Sequence, residues 1–125
     1  MHSVTSNAVA EEIEDTHSYS TTEQLTGGKW IDGKPIYRKV FNYGNITSNS
    51  FEINIGANIE TFIGYSGSLK VSDIIRPFPY LDPTSSMKVC ISSINSNTIY
   101  FYSAWGYGTD FIFMMEYTKT TDNAA

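Results

Sequence analysis

Charged residues are scarce in this chain. Asp, Glu, Lys and Arg make up 17% of its 125 residues, and the net charge is −5. An average soluble domain carries roughly 25% of such residues. A nucleic-acid-binding surface needs a basic stripe that neutralises phosphates, but the eight basic residues are scattered among 13 acidic ones. We therefore expect no nucleic-acid partner, and we interpret the one local basic cluster, at residues 29–39, as the solvated face of a hairpin.

Cysteine and histidine are almost absent. Cys90 is the single cysteine, so no internal disulfide is possible, and its strand-like neighbours indicate a buried structural thiol. Both histidines, His2 and His17, precede the predicted sheet, which argues against a nucleophile–histidine arrangement. Zinc-ligand spacing, a calcium loop and a glycine-rich phosphate loop are also missing. We expect no enzyme activity, no metal and no cofactor.

Paired catalytic acids are not evident either. A glycosidase needs two carboxylates about 5–10 Å apart across a sugar cleft. Glu52 and Glu116 alternate with apolar residues, which indicates strand positions that face solvent. Asp73 shares the predicted face of Leu69 and Val71, so it is either a buried, hydrogen-bonded acid or a residue at the end of a strand.

Long hydrophobic runs are lacking as well. The longest purely apolar run covers residues 111–115, whereas a membrane-spanning helix needs about 20 residues. The first 20 residues have neither the basic start nor the apolar stretch of a signal peptide. The sequence thus predicts a domain that does not insert into a membrane.

The N-terminal part differs in character from the rest of the chain. Residues 3–15 predict a short helix in which Val9 and Ile13 form a narrow apolar stripe. A helix of this length is not stable alone in water, so it packs either on the domain itself or on copies of itself, and Val9 and Ile13 are candidate trimer contacts. We assign residues 1–26 to this helix and a connector, and residues 27–125 to a β-domain.

From residue 29 onward, apolar alternation and turn residues predict β-structure. An Asp-Gly pair between apolar flanks is a strong hairpin signal, and it occurs at Asp32 and Gly33. About seven short antiparallel strands are expected, in a β-sandwich or jelly-roll-like fold. Apart from that first hairpin, the strands are predicted at residues 51–55, 59–65, 68–75, 87–92, 98–103 and 110–118, with turns at Ser66-Gly67 and residues 95–97.

The last predicted strand is apolar on both faces. Phe111, Phe113 and Tyr117 share one face, whereas Ile112 and Met114 lie on the other. Such a strand is either covered on both sides within its own domain or faces another subunit. Met114 is therefore a third candidate trimer contact.

Two predicted loops carry aromatic residues beside small polar ones, at residues 78–82 and 105–110. Tyr and Trp rings offer rigid contact area and stack on sugar faces, and neighbouring acids accept hydrogen bonds from hydroxyl groups. The alternative is that Trp105 and Tyr107 cap the end of the core. The candidate ligand-binding residues are Trp105, Tyr107, Asp110, Tyr80 and Asp82.

Four ordered motifs bracket nearly the whole chain: SVTSNAVA at residues 3–10, YSTTEQ at 19–24, KWIDGKPIYRK at 29–39 and EYTKTTD at 116–122. Together they resemble the C-terminal region of tail fibres and tail-tip proteins from siphovirus-type phages and prophages of gut bacteria. The resemblance implies a homotrimeric virion component, made in the bacterial cytoplasm, that ends a longer tail polypeptide and acts in host attachment.

Three functions remain open on this basis. The first is an adhesion module that binds a bacterial surface polysaccharide or protein as a trimer. The second is a structural or trimerisation tip of the tail that has no receptor of its own. The third is a carbohydrate-binding module of a cell-wall-acting protein.

Overall fold

The regular structure of this protein is entirely β in the part described by the computed structural model, residues 18–123. The predicted all-β class with antiparallel strands is confirmed for these residues, although they form nine strands rather than about seven. The predicted helix at residues 3–15, with Val9 and Ile13, lies outside the described residues. The strands are β1 (Gln24–Lys29), β2 (Pro35–Ile46), β3 (Ser50–Asn54), β4 (Ile59–Val71), β5 (Ile74–Phe78), β6 (Tyr80–Leu81), β7 (Lys88–Ile94), β8 (Thr98–Ser103) and β9 (Gly108–Lys119).

These strands form two antiparallel sheets. One has the order β1-β2-β9-β4-β5 and the other the order β3-β8-β7-β6. The core lies between them, because both sheets contribute buried apolar side chains. Cys90 on β7 is half-buried rather than buried, because it stands opposite Tyr102 on the alternate face from the buried Val89. The predicted domain boundary at residue 26 falls inside β1.

Strand β9 is the central strand of the larger sheet, and its two faces differ. Phe111, Phe113 and Tyr117 are fully buried against the other sheet. On the opposite face Ile112 is 41% exposed and Met114 is half-buried. The strand is therefore apolar on both sides, as the sequence indicates, but only one side is fully buried within the described residues.

Aromatic rings join the two sheets across the core. Phe101 on β8 meets Phe111 and Phe113 on β9 at ring-centroid distances of 5.6 and 5.4 Å, with nearly perpendicular planes. Phe78 from β5 approaches Phe111 at 5.1 Å. Edge-to-face pairs of this kind contribute about 0.5–1.5 kcal/mol beyond the area that they bury. They also fix how the sheets sit on each other.

The predicted turn at Ser66-Gly67 is wrong. Strand β4 runs through it without interruption, and the chain reverses instead at Ser72 and Asp73, whose φ angles are 54° and 63°. Asp73 is thus an exposed turn residue and not a buried acid. Gly67 serves another purpose, because a Cβ atom at this position would lie 2.1 Å from the carbonyl oxygen of Ile112. Glycine there allows the backbones of β4 and β9 to approach.

Replacement of Gly67 should show whether this close backbone contact, rather than the low strand propensity of glycine, determines the effect on stability. Gly67→Ala pushes β9 away from β4, and we expect it to lower the free energy of unfolding by about 3 kcal/mol or more, as severe overpacking does. Gly64→Ala is the matched control on the same strand, because nothing lies within 4 Å of its added Cβ. Urea unfolding of both variants measures the difference; equal stabilities would contradict the assigned role of Gly67.

The chain just before β1 is tied to the end of β9 by one carboxylate. Glu23 accepts a hydrogen bond from the hydroxyl of Tyr117, and its Oε1 lies 2.6 Å from Nζ of Lys119. That ammonium group also lies 4.1 Å from the ring centroid of Tyr37. Burial raises the pKa of Tyr37 from 10.0 to about 12, with further contributions from a hydrogen bond to Asp122 and from the charges of Asp122 and Glu23. Burial and the Glu23 hydrogen bond also raise the pKa of Tyr117.

These pKa shifts predict a loss of stability in alkali. The unfolded chain releases the Tyr37 proton near pH 10.0, whereas the folded protein holds it until about pH 12. The contribution to stability is complete below pH 10.0 and is lost as the pH rises through about 12. Tyr37→Phe should remove up to about 1.4 kcal/mol per pH unit from this decline. Unfolding free energies measured across the interval test it, and an unchanged slope would refute it.

Candidate functional site

An arginine and two aromatic rings meet at the β5 and β6 edges of the two sheets. Arg76 on β5 lies with its guanidinium carbon 5.0 Å from the ring centroid of Tyr80 and 5.1 Å from that of Trp105. The two rings are themselves 5.5 Å apart, and Nη1 of Arg76 donates a hydrogen bond to the Tyr80 hydroxyl at 2.9 Å. We call these three residues the arginine–aromatic cluster. Its members come from β5, β6 and the β8–β9 connection, so the cluster depends on the tertiary fold.

The cluster lies between the core and the surface. Tyr80 and Trp105 are half-buried and pack against the buried core residues. Trp105 therefore caps the core, as one of the two predicted alternatives has it, and still presents part of its surface outward. Tyr107, by contrast, is 50% exposed and has no place among the core-packed side chains of residues 18–123.

Asp82 supplies a negative charge next to this cluster. Its Oδ1 accepts hydrogen bonds from the backbone nitrogen and the hydroxyl of Thr84, at 2.9 and 2.8 Å. The backbone bond, then the hydroxyl bond, and to a smaller extent the charge of Arg76 lower the pKa of Asp82. The side chain is thus an ionised acceptor that the loop holds in place.

The charge of Arg76 has no acidic partner at contact distance in the described part of the chain. The ion pairs there are Lys34–Glu60, Lys70–Asp110 and Lys119–Glu23. A guanidinium group presents its donors in a planar fork that suits hydroxyl, carboxylate and phosphate oxygens. Nη1 of Arg76 already donates to Tyr80 and Nε is buried, so the donors left for a ligand are the remaining N–H groups of the two terminal nitrogens.

The structure brings together only part of the predicted set. Tyr80 and Trp105 are in contact, and Asp82 is close enough for the charge of Arg76 to lower its pKa. Asp110 instead lies near the start of β9, at a φ of 52°, and pairs with Lys70 at 3.6 Å. Tyr107 has no described contact with the cluster.

Arg76 is the residue that sequence reasoning missed. It lies four residues before Tyr80, in a segment interrupted by Pro77 and Pro79, and this proximity is the only signal for it in the sequence. Its place over the two rings follows from the pairing of β5 with β4, where it stands opposite the buried Leu69. This pairing could not be predicted while a turn was expected at Gly67.

The outer face of the larger sheet is a second surface of interest. Met114 lies between Val40 of β2 and Ser66 of β4, and Ile112 lies between Asn42 and Ser68. The small serine side chains leave Ile112 41% exposed. This face therefore carries an apolar strip of Val40, Ile112 and Met114, bordered by Asn42 and the two serines.

Two classes of feature are missing from the described chain. Among residues 18–123, no helix has the length and apolar character that crossing a membrane requires. The same residues contain no group of three or more His, Cys, Asp or Glu side chains that could hold a metal ion.

No protein-family model, curated protein or solved structure matches this chain.

Proposed function

We propose that this protein is a non-catalytic attachment domain at the distal end of a phage tail fibre or tail tip, and that it binds a glycan on the bacterial surface. The resemblance of its four ordered motifs to those of tail proteins supports the assignment to a phage tail. The arginine–aromatic cluster supports the binding chemistry. In this proposal the domain works as a homotrimer within the virion, continuous with upstream tail protein, after synthesis in the bacterial cytoplasm.

The observation that best supports glycan binding is the pair of half-buried rings in contact with Arg76. Aromatic faces stack on the apolar faces of sugars, and half-burial fixes the Tyr80 and Trp105 rings before a ligand arrives. The Arg76 guanidinium donates to sugar oxygens, whereas Asp82 accepts from sugar hydroxyl groups. Tyr107 follows Trp105 on the same connection, and Asp110 is the third residue of β9. Both are exposed, so they remain candidate contacts at the rim.

We further propose that the fold is a jelly-roll variant. β2 pairs with β9 in one sheet, and β3 pairs with β8 in the other. The early and late strands therefore run side by side as one antiparallel ribbon that folds over the core, which is a jelly-roll feature. The tight hairpins β4–β5 and β7–β8 distinguish it from a regular jelly roll.

Charge removal at the cluster tests the adhesion role. Arg76→Gln removes the charge and leaves a shorter, polar side chain. We expect it to weaken binding to gut bacterial cells or their extracted polysaccharides by about tenfold or more, since hydrogen bonds to a charged group contribute about 1.5–3 kcal/mol. Lys29→Gln is the matched control, because it removes one charge from β1, the opposite edge of the same sheet. Binding isotherms on cells from a panel of strains give the comparison.

The solution mass is recorded in the same samples. Saturable binding by the native protein and by Lys29→Gln, with loss in Arg76→Gln at unchanged mass and circular dichroism, supports an adhesion site at the cluster. Equal binding by both variants would place receptor contact elsewhere. No binding by any folded form would overturn the adhesion role.

A structural tip is the second candidate, and the apolar strip on the outer face of β9 favours it. Partly exposed apolar side chains in the centre of a sheet suit a surface that packs on another subunit. Ile112 and Met114 on this face then form trimer contacts, as proposed above for Met114. This function needs no receptor and is compatible with the same fold.

A charge placed on the strip tests the trimer. Met114→Asp introduces a carboxylate that cannot be desolvated in an apolar interface, and we expect it to convert the assembly to monomers in analytical ultracentrifugation. Met87→Asp, in the loop before β7, is the matched control and should leave the mass unchanged. A native protein that is already monomeric, or a Met114→Asp protein that stays assembled, would refute packing through this face.

A further inference from the structure

The outer face of the smaller sheet carries a cavity that is separate from the arginine–aromatic cluster. Its volume is about 320 Å³, and its lining includes Ser50, Glu52, Ser92, Ser93 and Tyr100. Small-molecule sites measure roughly 300–1,000 Å³, so this cavity is large enough for one or two sugar-sized groups. It lies at the β3 side of the sheet, whereas the cluster uses β6 at the opposite edge.

Strand alternation sets the chemistry of this face. Phe101 points into the core and is 1% exposed, so its neighbours Tyr100 and Tyr102 both point outward. Two positions along a strand span about 7 Å, and both tyrosines are half-buried. The face therefore presents two ring platforms in a row along the central part of the sheet.

The flanking strands add polar groups to these platforms. On β3, Glu52 stands opposite Tyr100, and Ser50 stands opposite Tyr102. On β7, Ser93 stands opposite Tyr100, at a point where the register shifts. Each ring thus has a hydroxyl or carboxylate group at its side, which is the arrangement that a stacked sugar needs for its own hydroxyl groups.

Glu52 determines which sugars fit. It is exposed, and within residues 18–123 its carboxylate forms neither an ion pair nor a hydrogen bond. Its lone pairs are therefore free to accept from ligand hydroxyls, and its charge repels an acidic ligand. Lys88 is a nearby cation on this face, 5.9 Å from the Tyr102 ring, and it is aligned with Tyr102 rather than with the Glu52–Tyr100 pair.

From this arrangement we infer a second binding site, on the outer face of the smaller sheet, for a neutral oligosaccharide. Tyr100 and Tyr102 stack on consecutive sugar rings, and Glu52 and the serines accept or donate hydrogen bonds at the sides. The inference does not need the cluster to bind anything. If both sites are occupied by one polysaccharide, the second contact becomes intramolecular and the overall affinity rises without any new residue.

Nuclear magnetic resonance titration of the full chain tests this site. The probes are malto-oligosaccharide and cello-oligosaccharide as neutral chains and oligogalacturonate as an acidic chain, each at millimolar concentration. We expect saturable shifts of the Tyr100 and Tyr102 signals with at least one neutral probe and none with the acidic one. Absence of shifts at these tyrosines with both neutral probes, or stronger shifts with oligogalacturonate, would overturn the proposal.

Variants separate this site from the cluster. Tyr100→Ala should weaken the binding of that probe by about tenfold, as the loss of an aromatic contact does, and Glu52→Gln by a smaller factor without any effect on the core. Tyr19→Ala is the matched control, because Tyr19 is 63% exposed and precedes β1 of the other sheet. Unchanged affinity in both Tyr100→Ala and Glu52→Gln would refute the site. Arg76→Gln should leave these shifts intact, so failure of the attachment role and failure of this site are distinguishable.

Discussion

The burial of one face of β9 is the constraint on which the rest of this molecule depends. β9 pairs with β2 on one side and β4 on the other, and its inward side chains at Phe111 and Phe113 have no exposed surface. Phe101 from the facing sheet meets both rings edge-on. Because β9 is held on three sides, the connection that leads into it is also fixed at its end, and Trp105 on that connection is presented at a defined place.

Much of the fold follows from local sequence signals. The Asp32–Gly33 turn and the alternation through Ile53 are found where the sequence predicts them, because both depend on neighbours within a few residues. The prediction of a turn at Ser66-Gly67 is wrong because glycine occurs in proteins for two reasons. It tolerates a positive φ, and its lack of a Cβ lets other backbone atoms come close. The two uses look identical in a sequence, and only the position of Ile112 on another strand decides between them.

The candidate site illustrates the same limit. Tyr80 and Trp105 are recognisable as aromatic loop residues, yet their contact depends on where two distant segments meet. Arg76 joins them only because β5 forms the edge of the larger sheet beside β6 of the smaller one. Asp110 is close to Trp105 in sequence but pairs with Lys70 instead. Adjacency along the chain therefore identifies candidates, and tertiary pairing selects among them.

The Glu23 contacts have a mechanical meaning. Tension carried along the chain from the residues before Ser18 enters the domain at β1, an edge strand whose bonds to β2 lie along only one side. An edge strand alone peels away one bond at a time. Glu23 precedes β1, and its contacts with Tyr117 and Lys119 transmit the force directly to β9 instead of to the edge strand. The strand that bears the load is then the one most firmly embedded in the core.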